Sequence, residues 1–285
     1  HICAKKGVKV AVVNGRLSDR SYDKYKKWTW LVAPMLKSID IFITQTESDA
    51  KNFIALDADP NKVHIVGNLK FDISQLNSDE RDPIELNTFN KTGRRVLIAA
   101  STRKGEEEKV LNAFRFVLKK MPSVILILVP RHPERFQDVA KHISDFGFNF
   151  SSRSDGKELV DSTQVYLGDS MGELLAYYRL ADVAFVGGTL VDTGCQNILE
   201  PAALGLPILI GPSQYNFAEI CSELEAASAL RTVNNTEELG LAFIEFLSDT
   251  ARCREMGKNG KEFVQKRQNI VSETLASLDK IYKVL

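Results

Sequence analysis

Short apolar runs with no polar interruption recur along this chain, and most are followed by a stretch of helix length. VILILV at 124–129 and PILIG at 207–211 show the pattern. A strand that is apolar at every position is buried on both faces, which an open sheet achieves with helices packed on each side. Strands separated by helix-length segments are joined by crossovers, and crossovers make a sheet parallel. The fold class expected is α/β with parallel, Rossmann-like sheets.

The alternation predicts strands at 8–13, 41–44 and 63–66 and helices at 22–38 and 48–56. A polar stretch from about 68 to 92, rich in Asn, Asp and Ser, then reads as a linker. A second series follows, with strands at 96–100, 124–129, 165–167, 183–186 and 208–210. Its helices are expected at 106–121, 134–146, 172–181, 197–204 and 217–229, with three more helical stretches at 236–248, 251–267 and 271–285. The domains expected are a partial N-terminal one at 1–70, a linker at 71–92, a complete C-terminal one at 93–267 and a terminal helix at 268–285. The chain opens on HICAKKGVKVAVVN without Met, and is read as N-terminally truncated.

Lys and Arg total 37, as do Asp and Glu, so the overall charge gives no support for nucleic-acid binding. Lys24, Lys26, Lys27 and Lys37 do cluster around Trp28 and Trp30, a pattern suited either to acidic lipid headgroups or to a plain surface helix. Cys3, Cys195, Cys221 and Cys253 have no metal or disulfide spacing, which fits a reducing cytosol. Apolar stretches of about seven residues fall far short of the ~20 that span a bilayer. Asp57 and Asp59 match a DxD metal pattern but precede Pro60, and are read as a turn. No metal site and no cofactor is expected. GxGxxG, Walker A, HExxH and GxSxG patterns do not occur.

In open parallel sheets, ligands bind beyond the carboxyl ends of the strands. Ser101 and Thr102 follow one strand and open a helix, where hydroxyls and N–H groups hold an anion or simply cap the helix. Pro130 ends the next strand and puts Arg131 at the mouth of the sheet, within reach of a phosphate or a pyrimidine edge. His132 is read as supporting rather than catalytic, and Arg135 as part of a surface or linker ion pair. Met171, Gly172 and Glu173 form a turn whose apolar wall and backbone suit a planar base, or else a capped helix start.

The densest unit is 182–212, a strand, paired glycines at Gly187 and Gly188, a polar loop, a short helix and another strand. Paired glycines let a backbone approach a ligand closely, and N–H groups at helix starts suit phosphate. Asn197 and Glu200, three apart, share a helical face, and Glu200 offers two acceptor oxygens to a ribose diol.

The blocks STRKGEEE, VPRHPERF, DSMGELLAYYRLADVAFVGGTLV and NILEPAALGLPILIGP resemble the 3-deoxy-D-manno-octulosonic acid (Kdo) transferases of lipopolysaccharide synthesis. VVNGRLSDRSYDKYKKW upstream is similar to the same family, so the resemblance covers nearly the whole chain. It implies a GT-B glycosyltransferase with a complete C-terminal domain that holds CMP-Kdo and a partial N-terminal domain that binds a lipid A precursor. The membrane surface would be a partner, and the place the cytoplasmic face of the bacterial inner membrane. The donor-binding residues implied are Ser101, Thr102, Pro130, Arg131, Met171, Gly172, Glu173, Asn197, Ile198, Leu199 and Glu200. The family's general base, a Glu, is expected upstream of His1, so the chain is expected to bind the donor but to transfer Kdo poorly. The chemistry implied is metal-independent, with Arg131 and helix N-termini stabilising the departing phosphate. A UDP-sugar transferase or epimerase and a non-catalytic nucleotide-binding module are the competing readings.

Overall fold

The computed structural model describes residues 2–71, 89, 93–156 and 159–282. Most of the expected linker, 71–92, therefore lies outside the described residues. The chain divides into two units: His1–Asp72 with Arg267–Leu285, and Ile73–Lys266 between them. The terminal helix Ile270–Tyr282 thus groups with the first unit, and its Ile270 packs so closely on Gly67 that a Cβ there would lie 2.8 Å from the Ile270 Cδ1.

The first unit holds a parallel sheet ordered β1 (Ala11–Gly15), β2 (Ile41–Thr44), β3 (Val63–Ile65). Phe42, Leu36, Leu56 and Leu17 form its core. β1 begins later than the apolar run suggests because the Val10 N–H is held by the Asp40 carboxylate at 2.8 Å rather than by a neighbouring strand. The single helix expected at 22–38 is two, Asp19–Lys26 and Thr29–Lys37. The Trp28 N–H bonds back to the Tyr25 carbonyl at 2.8 Å and the Thr29 hydroxyl to that of Lys26 at 2.7 Å, closing the first before the second starts. Asp57 pairs with Lys37 at 2.7 Å and Asp59 accepts from the Asn61 N–H, so both carboxylates serve the turn.

Among the described residues, the second unit builds a seven-stranded, all-parallel sheet. In chain order its strands are β4 (Val96–Thr102), β5 (Ile125–Pro130), β6 (Phe150–Ser152), β7 (Val165–Leu167), β8 (Val183–Val186), β9 (Ile208–Ile210) and β10 (Leu230–Thr232). Their order across the sheet is β10-β9-β8-β4-β5-β7-β6. Leu97, Leu126, Leu128 and Phe185 face one core with Phe114 and Phe243, while Ile98, Ile125, Ile127 and Ala184 face another with Tyr177. Burial on both faces is why these strands read as unbroken apolar runs.

The order places the site. From β4 the chain winds outward through β5 to β6 and β7, then returns past β4 to lay β8, β9 and β10 on the other side. Winding reverses between β4 and β8, so the carboxyl ends of these two strands flank a crevice where ligands of such folds bind. β6 and β10 were not expected. Each has three residues, and each lies at an edge of the sheet, where burial is one-sided and the apolar signal short.

Candidate functional site

At the end of β4, Ser101 takes φ 57°, a left-handed conformation uncommon for a residue with a side chain, and the β4–β5 register shifts there. Thr102 is fully buried, and its hydroxyl has no hydrogen-bond partner among the described residues. Its carbonyl accepts the Arg131 N–H at 3.0 Å, which seats the exposed Arg131 beside it at the end of β5. The Arg103 guanidinium contacts His132 Nε2. A guanidinium only donates, so the contact suits a neutral ring that is bare at Nε2. Nδ1 lies 3.8 Å from Glu134, which fits a supporting role for His132.

Neither hydroxyl caps the helix Glu106–Lys120; Gly105, at φ 84°, takes the cap position without a side-chain bond. The helix entry is governed instead by Glu106, fully buried, whose carboxylate reaches across to the turn after β8. One oxygen accepts the N–H groups of Arg103 (3.1 Å) and Gly188 (2.7 Å), the other those of Thr189 (3.0 Å) and Leu190 (2.9 Å). Burying a carboxylate costs several kcal/mol. Hydrogen bonds to a charged acceptor contribute about 1.5–3 kcal/mol each, so four of them offset much of that cost. Burial pushes the Glu106 carboxyl above its ordinary value against the pull of the four N–H groups. With every donor aimed at its oxygens, the ionised form is the one the fold accommodates.

This corrects the reading of the paired glycines. A Cβ on Gly187 would come within 2.7 Å of the Glu106 Oε2 and of the Ser101 carbonyl oxygen. One on Gly188, at φ 80°, would come within 2.2 Å of the Gly194 carbonyl. The glycines are needed for contacts inside the fold, and the amides after them are already bonded. Beside Glu106, Glu107 is also buried and forms a two-pronged pair with Arg135 at 2.6 and 2.8 Å. Arg135 is thus an ion-pair residue, its side chain largely covered rather than out at the surface.

The turn after β7 is braced in another way. The Glu173 carboxylate accepts from Arg153 Nε at 2.9 Å and Nη2 at 3.0 Å, and also from the Ser170 and Tyr177 hydroxyls. Despite partial burial, these partners hold its carboxyl below its ordinary value. The helix starts at Leu174, two residues beyond the expected start, and Gly172 sits at φ 83° in the turn. Met171 is 61% exposed, so it stands on the rim rather than in the core.

Beyond β8, the helix begins at Leu199, with Asn197 just outside it. The Asn197 side chain joins the two, its oxygen accepting the Leu199 N–H at 3.1 Å and its amide donating to Glu200 at 2.9 Å. Ile198 and Leu199 are fully buried, which leaves them only backbone groups to offer a ligand. Burial pushes the Glu200 carboxyl up, while the Asn197 bond and the nearby positive charge of Arg131 hold it down. That charge brings the ends of β5 and β8 into one electrostatic neighbourhood.

The sequence-predicted residues therefore converge on one edge of the sheet: Ser101 and Thr102 from β4, Pro130 and Arg131 from β5, the 171–173 turn from β7, and Asn197 to Glu200 after β8. Sequence reasoning missed Glu106 and Arg153, whose partners lie 82 and 20 residues away. A cavity of about 380 Å³ lined by Glu225, Ser228, Arg231, Arg252 and Glu255 lies at the opposite end of the strands, where β10 begins. It is not part of this edge, and its arginines are paired with Glu245.

Residues 94–263 match the family model described as glycosyl transferases group 1, and residues 1–73 that described as 3-Deoxy-D-manno-octulosonic-acid transferase (kdotransferase). The chain belongs to the Kdo transferase family, within the group 1 glycosyl transferases. Kdo transferases and their GT-B relatives agree with it along its length. The 3-deoxy-D-manno-octulosonic acid transferase of Haemophilus influenzae is 36% identical over 95% of this chain and 64% of its own. The chain thus spans a little under two thirds of that relative. A crystal structure of the C-terminal CMP-Kdo binding domain of WaaA from Acinetobacter baumannii is 32% identical, with a TM-score of 0.60, over 64% of this chain and 98% of that domain. A structure of the UDP-GlcNAc 2-epimerase from Neisseria meningitidis bound to UDP-GlcNAc shares the fold at 17% identity and a TM-score of 0.55, over 96% of this chain and 71% of its own. The expected α/β, GT-B fold class is the one found.

Proposed function

We propose that the carboxyl edge of the seven-stranded sheet holds CMP-Kdo, as the donor site of a protein that transfers Kdo to a lipid A precursor in lipopolysaccharide synthesis, and that the 285 residues alone transfer it poorly. The observation that carries this reading is the half-buried Glu200, bonded to Asn197 and under the charge of Arg131 at the rim of the crevice. Burial without saturation leaves Glu200 acceptor capacity for ribose hydroxyls. Arg131, exposed beside the buried Thr102, supplies a cation for the phosphate. There it neutralises charge that builds on the phosphate as the bond to Kdo breaks. Ser101 and Thr102 face the phosphate or the sugar, and the Met171–Gly172–Glu173 turn, kept in shape by Arg153, lies against the base. Ile198 and Leu199 anchor the Asn197 loop to the core. The likeness to the CMP-Kdo binding domain of WaaA supports the choice of donor.

The lipid-facing part of the reading rests on the first unit. Trp28, Trp30, Leu31 and Met35 are exposed beside Lys24, Lys26 and Lys27, apolar tips among cations that suit an anionic membrane surface. The described helices include none long and apolar enough to cross a membrane. Attachment at the cytoplasmic face of the inner membrane is part of the same proposal.

Calorimetric titration with CMP tests the donor site. Arg131→Ala should weaken CMP binding by about 10- to 100-fold, the worth of a hydrogen bond to a charged group. Unchanged affinity in that variant, or tighter binding of UMP than of CMP by the unaltered protein, would sink the reading.

A further inference from the structure

The turn after β8 is where a parallel sheet of this winding ordinarily offers amides to phosphate, being a glycine turn beside the switch point. Here the N–H groups of Gly188, Thr189 and Leu190 all point at Glu106, and that carboxylate is fully buried behind them. The fold has filled its own anion cradle. The glycine geometry agrees, since Gly187 and Gly188 are required by Glu106, Ser101 and Gly194 rather than by open space for a ligand. On the other flank of β4 stand the exposed Arg131 and, beside it, the buried Thr102 hydroxyl, which has no partner among the described residues.

We propose that Glu106 determines how many phosphates the donor carries: it occupies from within the place of a second phosphate, and so limits the site to nucleoside monophosphate donors. The inference rests on the donor-site reading above. A diphosphate would meet a fixed negative charge whose backbone donors are already engaged, while a single phosphate at Arg131 and Thr102 need not approach it. Glu106 does not touch the donor. It is a positioning and excluding residue, and its signature is a ratio of affinities.

The experiment measures dissociation constants of CMP, CDP, UMP and UDP on the whole 285-residue chain and on its Glu106→Ala and Glu106→Gln variants. The unaltered protein should bind CMP tighter than CDP by about tenfold or more, the least expected of like charges a few ångströms apart in a partly screened site. Glu106→Ala should reduce that ratio toward one. Equal affinity for CMP and CDP in the unaltered protein, or the same ratio in the variant, overturns the proposal. Should the variants not fold, amide resonances of Gly188, Thr189 and Leu190 in the unaltered protein decide it. Saturating CMP should leave all three unshifted and protected from exchange, and their displacement by CMP would overturn it. The base preference is read separately: UMP over CMP removes the donor-site reading, whereas the monophosphate-to-diphosphate ratio alone judges Glu106. Binding of none of the four overturns both.

Discussion

Glu106 and Glu200 lie on the same edge of the same sheet, and they are opposites. The first is fully buried, with both oxygens saturated by four backbone N–H groups. The second is half-buried, with one side-chain bond to Asn197 and a cation nearby. A carboxylate surrounded by main-chain donors holds the fold together. One that is partly desolvated and partly satisfied is left for something to complete it. The type of residue and its place after a strand do not separate the two; the donors around it do.

The largest expected effect breaks the Glu106 side of the comparison. Glu106→Ala orphans four N–H groups and should destabilise the protein by about 4–5 kcal/mol, read from urea unfolding. Glu106→Gln should fall nearly as far, because its NH₂ would face two donors. A loss below about 1 kcal/mol in both would mean that the clamp holds little.

Glu200→Gln should act in the reverse sense. Burial raises this carboxyl, so the folded chain takes up a proton more readily than the unfolded one. Its favourable contribution is then complete below the ordinary value of 4.5 and disappears as pH rises through the raised one. A neutral amide avoids that loss and should leave the protein about 0.5–1 kcal/mol more stable at pH 7, while weakening CMP about tenfold. Stability and binding falling together would erase the distinction drawn here.

Glu173 gives the opposite pH slope. Its carboxyl is lowered, so its stabilising contribution is fully present above 4.5 and disappears as pH falls through the lowered value. Glu173→Gln should flatten the acid limb of a pH–stability curve and leave the limb above pH 5 parallel to that of the parent. The smallest effect is that of Thr102→Val, which removes a buried hydroxyl without a partner among the described residues. Stability should change by less than about 1 kcal/mol, or improve, while CMP binding weakens.

What could be read from the sequence follows from how local each cause is. β7, β8, β9 and the helix Thr236–Ser248 fall where the apolar pattern puts them, because burial on both faces or along one helical stripe is written in consecutive residues. The helix starts at Leu174 and Leu199 come two residues later than expected, since Gly172 and Asn197 shape the turns that lead into them. The residues at the strand ends were legible from topology alone. The Glu106 clamp was not: a Glu after a glycine at a helix start reads as ordinary first-turn acid, and nothing near it points to Gly188. Arg153 was hidden likewise, by a β6 too short to announce itself.

The first unit is built from two separate stretches of the chain, with the whole of the second between them. The three strands of the small sheet emerge early, but the helix that closes over Gly67 is added only after some two hundred further residues. The larger unit can be complete while its companion still waits for that helix, and a chain cut before residue 270 would keep the larger sheet and lose the cover of the smaller one.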